Sequence, residues 1–79
     1  MANEIRLLRF LAQDMTQAEL GRRVGLTRQT IAAIEQERYS PSLDVAFRIA
    51  HVFGKRIDEV FHWSPDGTAT DAAGKPEPN

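Results

Sequence analysis

Five stretches of the chain repeat apolar residues at the three- and four-residue spacing of an amphipathic helix, and no strand is predicted. Asn3 is a candidate cap for a first helix carrying Ile5, Leu8, Ala12 and Met15. Thr16 is placed to cap a second, with Glu19 three residues later completing a capping-box pattern. That helix shows Ala18, Leu20, Gly21 and Val24, and Gly25 stops it. Thr27 caps a third helix running to about Gln36, with Ile31 and Ile34 inward. The loop from Glu37 to Pro41 leads to Ser42, which caps a fourth helix with Leu43, Ala46, Ile49, Ala50 and Phe53 on its inner face; Gly54 closes it. A fifth short helix, Ile57 to about Phe61, offers Ile57, Val60 and Phe61 to the core. Connections this short predict a compact all-α five-helix bundle. Leu7, Phe10 and Leu11 fall off the inner stripe of the first helix: part of this set is expected in the core, and a partner surface is the other reading. Phe61 and Trp63 are candidates to cover a dimer seam.

The pattern stops at Ser64. Residues 64–79, SPDGTATDAAGKPEPN, hold three of the four prolines and no large apolar residue, so they are expected to form a disordered polar tail behind one domain of residues 1–63. At 79 residues and 42% hydrophobic content, with no cysteine, the chain must be held by apolar packing and not by disulfides or a thiolate metal site. No apolar run approaches the roughly 20 residues of a membrane span, and the charged N-terminus lacks a signal peptide's uncharged stretch, which predicts a soluble cytoplasmic protein with no membrane partner. Net charge is −1; residues 1–63 carry nine Lys/Arg against eight Asp/Glu, and residues 64–79 one against three. A nucleic-acid partner would therefore have to be held by a local patch, and the acidic tail would weaken non-specific binding.

Residues 17–36, QAELGRRVGLTRQTIAAIEQ, read as two short helices hinged on Gly25. A helix-turn-helix needs a small residue where its helices touch, here Gly21, and a left-handed glycine in the turn, here Gly25. Leu20, Val24, Leu26, Ile31 and Ile34 fill the apolar positions of the same window. The second helix opens with Arg28, Gln29 and Thr30. Arginine can donate twice to guanine, glutamine can bond bidentately to adenine, and a threonine methyl can pack on thymine; a solvated helix face is the bland reading of the same triple. Arg28 is also suited to a phosphate, and small Ala33 would permit close approach to the groove. Gln17 sits where a helix N-terminus favours a phosphate. Arg38, Tyr39 and Ser40 form a loop suited to backbone contacts, and Ser42 is either a cap or a further phosphate donor. Arg22 and Arg23 read as a solvated face with one able to approach the backbone.

The segment TQAELGRRVGLTRQTIAAIEQERYSPSLDVAFRIAHVFG closely resembles the Cro/C1-type (Xre-like) helix-turn-helix family of phage repressors and bacterial regulators. The resemblance covers residues 5–61 and is greatest to the very small stand-alone members that end in a helix like IDEVF. It implies a lambda-repressor-like fold whose third helix reads the major groove, and a homodimer on a palindromic operator of double-stranded DNA. It also implies a bacterial or phage-derived protein, cytoplasmic and nucleoid-associated when bound. Two departures stand out. Gly21 replaces the family's commoner alanine, which would weaken the second helix by about 0.5–1 kcal/mol. LRFLAQDMTQ is one residue longer than usual, so the family's internal ion pair to Glu35 has two candidate partners, Arg9 as the preferred one and Arg6 as the other.

No cofactor, metal or catalytic site is expected. His51 and His62 stand eleven residues apart without a ligand constellation, and no nucleophile–base pair or phosphate-cradling loop is present. The function that follows is a transcriptional regulator, a repressor by promoter occupancy, with no small-molecule ligand domain. The alternative is an antitoxin or accessory module of the same fold whose main partner is another protein.

Overall fold

The computed structural model describes residues 1–65. In chain order these form β1 (Ala2–Asn3), α1 (Ile5–Leu11), α2 (Gln17–Val24), α3 (Arg28–Glu35), α4 (Leu43–Phe53), α5 (Ile57–Val60) and β2 (Phe61–His62). The fold is all-α in substance, five helices around one apolar core. The expected tail lies, apart from Ser64 and Pro65, outside the described residues.

Local sequence explains most helix ends. Thr16 Oγ1 accepts from the Glu19 N–H at 3.0 Å, Thr27 Oγ1 from the Thr30 N–H at 3.1 Å and Ser42 Oγ from the Val45 N–H at 3.3 Å, each satisfying one donor that a helix start leaves open. Gly25 and Gly54 close α2 and α4 at φ +81° and +65°, where a side chain would be strained. The capping box expected at α2 is only half made. The Glu19 carboxylate turns away from the Thr16 N–H to Arg22 and Arg23, because two guanidiniums one turn along outcompete a neutral amide.

Ile5, Leu20, Val24, Ile31, Ile34, Ala46, Ile49, Ala50, Val60 and Phe61 are buried together, so every helix contributes to one core. α2 and α3 pack closest. An added Cβ on Gly21 would lie 2.5 Å from the Leu26 carbonyl oxygen, and the Leu26 N–H donates to the Gly21 carbonyl at 2.8 Å. The glycine is thus demanded by backbone approach at the point where the two helices touch, and that approach outweighs its cost in helix propensity.

Several sequence expectations change. A two-residue antiparallel pair joins β1 to β2, which follows the fifth helix, with Ala2 opposite His62 and Asn3 opposite Phe61. Phe61 therefore enters the core from β2 and not from α5, and it cannot cover a dimer seam. Asn3 is drawn into this pair instead of capping α1 directly. Its amide donates to the Ile34 carbonyl at 2.9 Å, which also accepts the Glu37 N–H at 3.0 Å, while its Oδ1 receives the Ile5 N–H at 3.2 Å. α1 stops at Leu11; Gln13 and Asp14 follow with φ +59°, and the turn absorbs the extra residue before Thr16. Leu7, Phe10 and Leu11 all stay exposed, as do Leu43 on α4, Ala18 on α2 and Trp63 after β2. Leu43 occupies the first position of α4, beyond the reach of the core that Ala46 and Ile49 enter.

Candidate nucleic-acid interface

The α2–α3 unit sets the geometry. Close contact at Gly21 and the left-handed Gly25 fix the two helices against each other, and Leu20, Val24, Ile31 and Ile34 bury the shared face. The first turn of α3 is then left outside the core. Arg28 and Gln29 are exposed, and Thr30 is half-buried with its hydroxyl 3.0 Å from that of Thr27. Ala33, one turn further on, is half-buried.

Beyond α3 the chain turns sharply. Glu37 adopts φ +63°, and the Arg38 N–H donates to the Ala33 carbonyl at 2.9 Å. Arg38, Tyr39 and Ser40 follow with exposed side chains, and Ser42 is occupied as the α4 cap.

Charge pairing divides the arginines. Arg9, Arg22, Arg23, Arg48 and Arg56 each have a carboxylate within ion-pair distance. Among the described residues, Arg6, Arg28 and Arg38 have none. Two of those three lie at the α3 start and in the loop after it, where an anion would find cations not already neutralised. Glu19 holds both Arg22 and Arg23, which takes the α2 arginines out of that group. In return the hydrogen bonds from Arg23 and then Arg22 keep the Glu19 carboxyl below the usual glutamate range.

Behind the exposed face a polar network ties three helices. Arg9 meets Glu35 side-on, Nε to Oε2 at 2.6 Å and Nη2 to Oε1 at 3.0 Å, with the two side chains only 16% and 7% exposed. Arg9 Nη1 also donates to the Met15 carbonyl at 2.8 Å, which fastens the irregular turn after α1. Arg6, the other first-helix candidate, has no part in this pair. Gln17 Nε2 donates to Glu35 Oε1 at 3.1 Å. The first residue of α2 is therefore held by the end of α3, a contact across 18 positions that no local pattern announces.

No group of three or more His, Cys, Asp or Glu side chains converges among the described residues. None of the described helices is long and apolar enough to cross a membrane.

A helix-turn-helix family model matches residues 5–60. An uncharacterized HTH-type transcriptional regulator of Methanocaldococcus jannaschii, MJ0272, is 42% identical over 66 residues, covering 84% of this chain and 98% of that one. A second, from Methanothermobacter thermautotrophicus, is 54% identical over 54 residues, or 67% of this chain and 78% of that one. A third, YgzD of Bacillus subtilis, is 43% identical over 61 residues, or 77% of this chain and 91% of that one. The chain belongs to the Cro/C1-type helix-turn-helix family. Membership carries the class of activity, DNA-binding transcription regulation. Two of these relatives are archaeal, so membership does not confine the protein to bacteria or phage.

Proposed function

We propose that this chain is a sequence-specific regulator that inserts α3 into the major groove of a palindromic operator as a homodimer and represses by occupying promoter DNA. The observation that carries this reading is the first turn of α3, where Arg28 and Gln29 are exposed and Arg28 has no carboxylate partner among the described residues. Arg28 donates to guanine O6 and N7 or to a flanking phosphate, Gln29 bonds adenine bidentately, and the Thr30 methyl packs on thymine. Ala33 keeps the helix face low enough for close approach. Gln17, Arg38, Tyr39 and Ser40 supply the surrounding phosphate contacts, and Ser42, whose Oγ accepts as the α4 cap, adds one through its O–H.

One short helix reads too few base pairs for a unique address, so a second copy is required. Exposed Leu43 and Phe47 lie one turn apart on α4, and Phe47 borders a shallow depression with Ala50 and Ile57, which His51, Lys55, Arg56 and Asp58 also line. This apolar face supports a dimer seam around α4 and α5, with recognition helices in successive major grooves about 34 Å apart.

Selection of binding sites from random duplex DNA at modest salt tests the reading. An enriched inverted repeat is expected; a pool that enriches no sequence would sink it.

A further inference from the structure

α1 is apolar on two opposite sides. Ile5 and Leu8 serve the core, yet Leu7, Phe10 and Leu11 stand 52%, 65% and 66% exposed on the outer side. On a helix, residues four apart form a ridge. Leu7 and Leu11 make one such ridge, and Arg6 and Phe10 make its neighbour. Asp14 lies past the helix end in a left-handed turn, where its N–H donates to the Phe10 carbonyl at 3.1 Å and holds it beside that residue. Arg6, Phe10 and Asp14 border one shallow depression.

The charges select the occupant. Neither Arg6 nor Asp14 has an ion-pair partner among the described residues. They lie on either side of Phe10 around that depression, a cation one turn towards the N-terminus and an anion in the turn after α1. A two-fold axis through Phe10 exchanges these ends. It sets Arg6 of each copy against Asp14 of the other, and lays Leu7 and Leu11 into the groove beside the opposing ridge. Glu4, which borders the adjoining depression with Arg6, Leu7 and Phe10, is already engaged by His62 at 2.9 Å, so the patch keeps one unpaired cation and one unpaired anion and is complementary to itself.

We propose that the outer face of α1 is a self-association surface through which two copies pair antiparallel. It lies on a different helix from the α4–α5 seam proposed above. With both engaged, dimers join into larger assemblies.

Sedimentation of the full chain over a range of concentrations tests this, with helicity and melting temperature as folding controls. The wild type is expected to assemble beyond a dimer, and Phe10→Asp and Arg6→Glu to stop at the dimer. Asp14→Asn, which keeps a residue tolerant of positive φ, is expected to weaken association of the wild-type chain by about tenfold. In the Arg6→Glu background the same change is expected to strengthen association, because it removes a like-charge contact. If Phe10→Asp gives monomers while Phe47→Asp leaves dimers, the α1 pairing stands and the α4–α5 seam falls. Mass distributions unchanged by Phe10→Asp and Arg6→Glu overturn the α1 pairing, whatever Phe47→Asp does. Asp14→Asn weakening association in both backgrounds overturns the antiparallel arrangement.

Discussion

Glu35 divides its two oxygens among three donors. Oε2 takes the Arg9 Nε–H, and Oε1 takes Arg9 Nη2 and Gln17 Nε2. Truncating it strands a guanidinium that is mostly out of water and frees the first side chain of α2. Glu35→Ala is therefore expected to destabilise the fold by about 2–4 kcal/mol, read as a lowered midpoint in denaturant. Gln17→Ala removes only one neutral donor and is expected to cost less than about 1 kcal/mol in the same measurement. At the surface, Glu19 offers a pH test. Its folded carboxyl is held low by Arg23 and Arg22, so the stabilisation from these contacts is present above the ordinary glutamate range and is lost as pH falls through the depressed value. Arg23→Ala is expected to move the Glu19 titration, followed by NMR, back up towards its ordinary position. An unmoved titration would count against Arg23 as the main cause.

Among the elements, Gly21 is where the sequence invites the wrong engineering. Helix propensity alone argues for alanine, worth up to about 1 kcal/mol. The Leu26 carbonyl oxygen occupies the space a Cβ needs, at 2.5 Å, and backbone cannot swing aside as a side-chain tip can. Gly21→Ala is expected to lose about 1–3 kcal/mol in thermal or chemical denaturation, with α2 and α3 pushed apart. An equal or higher melting point would mean the turn relaxes freely. The helix starts at Thr16, Thr27 and Ser42 and the stops at Gly25 and Gly54 were legible because a cap is a local event among four or five consecutive residues. The Ala2–Asn3 and Phe61–His62 pair was not, since two residues are too few to show alternation and the two partners are separated in sequence by all five helices. The end of α1 was overrun because Ala12 and Met15 keep helical spacing through a turn that has left the helix. Leu43 looked inward for a similar reason: periodicity gives a direction around the axis but not whether a core lies opposite that turn. In the candidate interface, the exposure of Arg28 and Gln29 followed from their place in the motif. The hold of Glu35 on Gln17 did not, because it joins residues on different helices.

For the whole molecule, near-neutral charge sets the terms of binding. With a net charge of −1 and five of its arginines already paired, the protein cannot rely on a general positive field. Its salt dependence should accordingly reflect a small number of phosphate contacts and not a broad basic surface. On the proposed reading, affinity comes from two recognition helices acting together. Phe47→Asp on α4 is expected to abolish cooperative occupancy of an inverted repeat while leaving each chain folded, as seen by gel shift alongside helical content. The central claim is that α3 reads bases with its first turn while α2 and the following loop hold the backbone. The most direct measurement compares the sequence preferences of wild type, Gln29→Ala and Gln17→Ala on random duplex DNA. Gln29→Ala is expected to relax preference at one or two symmetric positions, by about 1–3 kcal/mol each, and Gln17→Ala to weaken all sequences about equally. A Gln29→Ala profile identical to that of the wild type would contradict the claim.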